Sequence, residues 1–234
     1  MDFNDFLTFV KSSFPDLTDS QAERFRLMDK GYREWNAKIN VISRKDIDGL
    51  YDHHVLHSLA IAEYLRVRRP ETYASFTAES SITSPDGATR TSLKVLDLGT
   101  GGGFPGIPLA VLFPGVSFTL CDSVGKKTIV AREISNMLGL TNVEIVNARA
   151  ESLGEKFDFV VSRAVASLAD FYPWVRGKFT DSILYLKGGD INEELYELMS
   201  RERMRQGSVS TWPVDTWLKD PYFEGKFVID IKRG

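Results

Sequence analysis

Apolar residues in the first 70 positions recur every three or four places, the spacing of helices that bury one face. Phe3, Phe6, Leu7, Val10 and Phe14 make one stripe that stops at Pro15. Thr18 followed by Gln21 has the form of a capping box, and Phe25, Met28, Tyr32, Trp35 and Ile39 continue behind it as a second stripe. A third helix is expected over about 52–67, with Val55, Leu59, Ala62 and Leu65 on one side. Periodicity then disappears. Residues 71–92 are rich in Ser, Thr, Gly and Pro and are expected to form an exposed linker loop.

From residue 93 short apolar runs alternate with helical stretches. Strands are expected at 93–98, 116–121, 143–147, 157–162 and 182–187, with helices at 105–112, 124–138, 168–176 and 190–205. Such alternation requires a mostly parallel sheet with helices on both faces. The tail breaks the rule, because Ser208–Trp212 and Lys226–Ile231 have no helix between them and should pair as an antiparallel edge. A dinucleotide-binding domain would continue strand, helix, strand; this ending is that of a methyltransferase. Three regions follow: a helical extension over 1–70, the linker over 71–92 and an α/β domain over 93–234.

Chemistry concentrates at the end of the first strand, in Leu93-Lys-Val-Leu-Asp-Leu-Gly-Thr-Gly-Gly-Gly-Phe-Pro-Gly106. The glycines let the main chain approach a ligand, and Pro105 suits the first turn of a helix. Gly101-x-Gly103-x-x-Gly106 satisfies the dinucleotide fingerprint. Asp97-x-Gly99-x-Gly101-x-Gly103 fits equally a carboxylate that faces a crevice and holds the ammonium of an amino-acid moiety, such as the methionine part of S-adenosylmethionine. Asp122 ends the second strand 23 residues after Gly99, the offset of a ribose-binding acid or of an ordinary helix cap. Both nucleotides carry a ribose, so this acid leaves the choice open.

The runs Asp97–Ala110, Cys121–Lys127, Asn147–Glu151, Phe157–Val165 and Leu186–Gly189 resemble, in matching order, the GidB/RsmG family. The likeness extends over about residues 35–195. It implies a class I S-adenosylmethionine-dependent methyltransferase, Rossmann-like, with a seven-stranded mostly parallel sheet and an antiparallel edge strand. The implied reaction is methylation of a guanine N7 in 16S ribosomal RNA, within the small ribosomal subunit or an assembly intermediate. On this reading Asp97, Gly99, Gly101 and the backbone at Phe104 meet the methionine and sugar, and Asp122 the ribose. Ala150 and Glu151 border the adenine, and Arg163 lies at the cofactor. Arg163 and Lys187 are the candidate catalytic residues, through a guanine oxygen, a phosphate or the cofactor carboxylate. An N7 lone pair carries no proton to remove, so positioning rather than a general base should suffice. The family's Asn-x-x-(Ser/Thr) run joins the helices to the catalytic domain, and its third helix usually carries an acid where this chain has His57.

Composition narrows the alternatives. Residues 1–70 contain 11 Lys+Arg and 11 Asp+Glu, and the whole chain has a formal charge of −3. RNA contact must therefore come from local patches such as Arg44-Lys45, Arg66–Arg69, Lys126-Lys127 and Arg201–Arg205. The lone Cys121 excludes an internal disulfide framework. His53, His54 and His57 share one helix but lack the remaining ligands of a zinc site, so no metal is expected. Nothing in the first residues resembles a secretory leader, and no apolar run approaches membrane length; a monomeric cytoplasmic protein is the expectation. A nicotinamide oxidoreductase lacks a candidate hydride-site acid, and a non-catalytic RNA-binding protein is the remaining rival.

Overall fold

The structure, a computed structural model, describes residues 1–78 and 92–233, together with the backbone of Ile82–Thr83 and Thr89–Arg90. Helix α1 (Phe3–Ser13) starts at Asp2, whose carboxylate accepts from Asn4 and Asp5 N–H. Helix α2 (Asp19–Asn36) starts on the expected capping box: Thr18 Oγ1 accepts from Gln21 N–H at 3.3 Å, and Gln21 Oε1 accepts from Thr18 N–H at 2.8 Å. Gln21 also donates through Nε2 to Val111 and Leu112 carbonyls, so the same side chain finishes a helix of the other region. Thr18→Ala removes one half of the box and is expected to cost about 1 kcal/mol. Calorimetry should show the melting temperature falling by about 2–4 °C for a chain of this length.

The third helix is not uniform. A π-helical turn, Leu50–Leu56, precedes α3 (His57–Arg68). Helix α4 (Pro70–Thr77) then occupies the start of the segment expected to be a linker. Pro70 opens it at a position where no N–H is required, and Phe76 is buried against Phe113 and Phe159, with ring centroids 5.1 Å away in each case. Two aromatic anchors, Tyr73 and Phe76, therefore outweigh the Ser/Thr composition. Ile82–Thr83 (β1) and Thr89–Arg90 (β2) pair antiparallel; the rest of the loop expectation lies outside the described residues.

The α/β part contains β3 (Lys94–Leu98), α5 (Gly106–Leu112), β4 (Ser117–Asp122), α6 (Gly125–Met137) and β5 (Val143–Asn147). It continues with β6 (Phe157–Arg163), α7 (Leu168–Val175), β7 (Phe179–Gly188), α8 (Asn192–Arg201), β8 (Val209–Pro213) and β9 (Lys226–Lys232). The sheet has seven strands in the order β5-β4-β3-β6-β7-β9-β8. β9 runs antiparallel to both β7 and β8, so the tail adds itself as a hairpin in which the last strand is the inner one. Helix α8 ends at Arg201, four residues before the expected limit of 205.

The helical extension is not a separate body. Phe6, Phe25, Met28, Tyr32 and Leu59 belong to one apolar cluster with Val95, Ile107, Phe118 and Val228. A buried polar joint adds to it: Asp230 Oδ2 on β9 accepts from Tyr64 at 2.8 Å and from Arg69 at 3.2 Å, and Arg69 also reaches Asp181 at 2.6 Å. Among the described residues no helix is long and apolar enough to cross a membrane.

Candidate active site

The chain order reverses at β3, with β4 on one side and β6 on the other, and ligands of such sheets bind beyond the carboxyl ends of the strands there. A cavity of about 580 Å³ opens at that place. Gly99, Asp122, Lys127, Arg149, Glu151, Arg163, Val165 and Trp174 are among its lining residues.

The turn after β3 is fixed from several directions. Gly99 and Thr100 N–H both donate to the Cys121 carbonyl, at 2.8 and 3.1 Å, and Gly101 N–H donates to Asp122 Oδ2 at 2.9 Å. Gly99 has φ +73°, and a Cβ there would stand 2.4 Å from Val165 Cγ2, so any side chain would push into the far wall. Gly102 is closed from behind: a Cβ would lie 2.6 Å from Val41 Cγ2, and the Gly102 carbonyl accepts from Tyr32 Oη at 2.9 Å. The bend that carries Val41 is built on buried Asn36, whose Oδ1 accepts from Val41 and Ile42 N–H while its Nδ2 donates to the Ile42 carbonyl.

Asp97 sits beneath this turn, fully buried, and does not line the cavity. Its Oδ2 accepts from Thr100 Oγ1 at 2.6 Å and Gly106 N–H at 2.8 Å, tying strand, turn and helix together. Its Oδ1 has no hydrogen-bond partner among the described residues. Burial pushes the carboxyl up to about 7, against the lowering effect of those two bonds and of Arg163. The sequence reading gives Asp97 only a ligand contact; the structure adds this stitching.

Of the other expected residues, Gly99, Asp122, Ala150, Glu151 and Arg163 line the cavity together. Asp122 Oδ1 also accepts from Val124 N–H at 2.8 Å, so the acid both steadies the turn and opens the way into α6. Gly101 lies on the turn with nothing within 4 Å of the place its Cβ would take. Phe104 is buried, its ring stacked on Tyr32 at 4.7 Å and beneath the Arg163 guanidinium at 4.9 Å. Arg163 is half-buried and, among the described residues, forms no ion pair. Desolvation lowers its affinity for the proton from the ordinary arginine value, against the smaller opposing pull of Tyr222, Asp97, Tyr32 and Asp46.

Lys187 is not brought to the cavity. Its ammonium pairs with Glu194 at 2.9 Å and donates to the Ala166 carbonyl at 3.1 Å. Glu194 in turn accepts from Leu168 N–H, and the buried Tyr185 hydroxyl meets Val165 and Ala166 N–H and the Ala166 carbonyl. These side chains hold the loop after β6, in which Ala164 has φ +49°, a strained value for a residue with a Cβ. Lysine seven places before a glutamate gives no sequence signal of such a clamp.

Sequence reasoning also missed Tyr32, whose stripe reads as plain core, the cavity-lining Val165 and Trp174, and Asp46, which accepts from His53 Nδ1 and lies 2.7 Å from His54 Nε2. The three histidines, expected on one helix, separate. The π turn brings His53 and His54 to one carboxylate, whereas His57 is buried against Phe223 with ring centroids 5.7 Å apart.

Comparison with known proteins agrees with this geometry. A family model described as "GidB: rRNA small subunit methyltransferase G" matches residues 80–216. A Porphyromonas gingivalis protein named ribosomal RNA small subunit methyltransferase G is 43% identical over 229 residues, covering 94% of this chain and 90% of the relative. A Bacteroides thetaiotaomicron protein of the same name is 48% identical over 196 residues, covering 80% and 84%. Among solved structures, magnesium protoporphyrin IX methyltransferase from Synechocystis PCC 6803 superposes with a TM-score of 0.59 at 14% identity, over 93% of this chain and 98% of that one. That likeness establishes a class I methyltransferase fold. The family match over more than half the sequence, joined to relatives this similar along most of their length, means that the chain belongs to the GidB family of rRNA small subunit methyltransferase G.

Proposed function

We propose that the protein transfers a methyl group from S-adenosylmethionine to N7 of a guanine in 16S ribosomal RNA, in line and without a general base. The observation that carries this reading is the cavity beyond β3, β4 and β6, which joins Arg163, a cation without an ion pair among the described residues, to a glycine turn and a rim acid. The residues fit that cofactor. Asp97 Oδ1 is a buried carboxylate oxygen without a donor among the described residues, suited to an ammonium, and Arg163, which forms no ion pair among them, is suited to a carboxylate. Asp122 keeps acceptor capacity beyond its two backbone bonds for ribose hydroxyls, and Ala150 with Glu151 forms the wall suited to adenine. When bound, the cofactor supplies a methyl group made electrophilic by its sulfonium.

The work left to the chain is binding and orientation. Neither Asp122, whose two oxygens accept backbone N–H groups, nor His54, whose Nδ1 lies 3.2 Å from the Arg163 guanidinium, is set aside as a base, and Glu151 belongs to the wall suited to adenine. A guanine N7 needs no base, whereas an exocyclic amine does. Val165, 38% exposed beside Ala164 on the rim, offers an apolar edge against which a base can rest.

The reading is tested with small ribosomal subunits and with naked 16S RNA, using methyl-labelled S-adenosylmethionine. The expected result is label in one guanosine whose strand breaks after borohydride reduction and aniline, the reactivity of an N7-methylated base. Label that resists this cleavage, on an exocyclic amine or a ribose, would overturn the N7 assignment.

A further inference from the structure

We propose that His54, held by Asp46, is a positioning residue: as the neutral Nε2–H tautomer it accepts a hydrogen bond from Arg163 and aims the guanidinium at the cavity without neutralising it. This rests on the reading above, in which Arg163 meets an anionic or electron-rich group.

The donor inventory fixes the protonation state. Arg163 Nη2 lies 3.2 Å from His54 Nδ1, and a guanidinium nitrogen can only donate, so Nδ1 must carry the lone pair. His54 Nε2 lies 2.7 Å from Asp46 Oδ2, and a carboxylate can only accept, so Nε2 carries the proton. An imidazolium would set an N–H against the guanidinium N–H groups, two donors facing each other. The surroundings agree, since burial first, and then the Arg163 charge, holds the imidazole down to about 4 despite its bond to Asp46.

The rest of the setting keeps this arrangement rigid. Asp46 is shared with His53, whose ring stacks on Tyr222 at 3.7 Å and 13°, so the carboxylate is fixed between two side chains of the π turn. Phe104 lies under both partners, 4.9 Å from the guanidinium and 5.4 Å from the His54 ring. A direct Asp–Arg pair would orient Arg163 as firmly, but it would spend the positive charge inside the protein. Placing an imidazole between acid and guanidinium separates orientation from neutralisation. This explains why a half-buried arginine at the cavity wall has no ion pair among the described residues while the acid stands one side chain behind it.

The test combines a spectroscopic readout with a double-mutant cycle. In the wild-type protein at neutral pH, nitrogen NMR of His54, assigned by comparison with His54→Gln, should show Nε2 protonated and Nδ1 bare. His54→Ala should lower affinity for S-adenosylhomocysteine about tenfold or more, the scale of a hydrogen bond to a charged group. His54→Gln, whose amide can both accept from Arg163 and donate to Asp46, should recover most of it. In an Arg163→Ala background His54→Ala should change nothing further. An imidazolium or an Nδ1–H tautomer, or His54 and Arg163 effects that simply add, would overturn the assignment. Neither readout uses methyl transfer, so a wrong RNA product would count against the proposed function and leave this inference standing.

Discussion

Arg163→Ala is expected to lower kcat/KM for methyl transfer by about 10²–10³-fold, the usual effect of removing one preorganised charged donor. The fold should survive. Arg163 forms no ion pair among the described residues, so its loss breaks no salt bridge; what remains beside it is the neutral His54 Nδ1 and the face of Phe104. Circular dichroism and the melting temperature should stay close to those of the parent while activity collapses. Arg163→Lys should rescue little, because a lysine cannot serve His54 and a ligand through one planar fork. An Arg163→Ala enzyme that kept parental rates would remove the residue from the site.

Asp97 gives the second large effect, and its sign depends on pH. Burial pushes the carboxyl up to about 7, so near neutrality the free protein holds it partly protonated. A ligand ammonium selects the ionised form. Affinity for S-adenosylhomocysteine should therefore rise about tenfold per pH unit up to about pH 7 and level off above it. Stability of the ligand-free protein runs the other way. A carboxyl whose folded value exceeds its ordinary value of 3.8 favours folding most at low pH, and this contribution is lost as pH climbs to about 7. Asp97→Asn should bind weakly with a flat profile; isothermal titration between about pH 5 and 8 reads the affinity, and denaturant unfolding over the same range reads the stability. A wild-type profile without slope would rule out the ammonium contact.

The sheet was legible because its strands are covered on both faces and so appear as short apolar runs, broken by helices whose stripes recur at three and four. The antiparallel hairpin was legible for the opposite reason, two strands with no helix between them. The glycine turn announced the site, and Gly99, Asp122, Ala150, Glu151 and Arg163 do meet around one cavity. What stayed hidden follows other geometry. A π turn changes the helical register without changing composition, so the convergence of His53 and His54 on Asp46 leaves no mark in a 3.6-residue pattern. Lys187 looked available because charge is visible in a sequence and its partner Glu194 is not. Helix α4 was concealed by the Thr, Ala and Ser residues around and between its two aromatic anchors.

Val41 and Tyr32 close on the outer side of the glycine turn, and Asn36 sets the bend that delivers Val41. The glycine turn beside the cavity is thus backed partly by the opening third of the chain. A shift of even one residue between Asn36 and Val41 would lift Val41 off Gly102 and leave the turn unsupported on that side. Front helices and glycine turn must therefore change in step, and neither can be borrowed for another protein without the other.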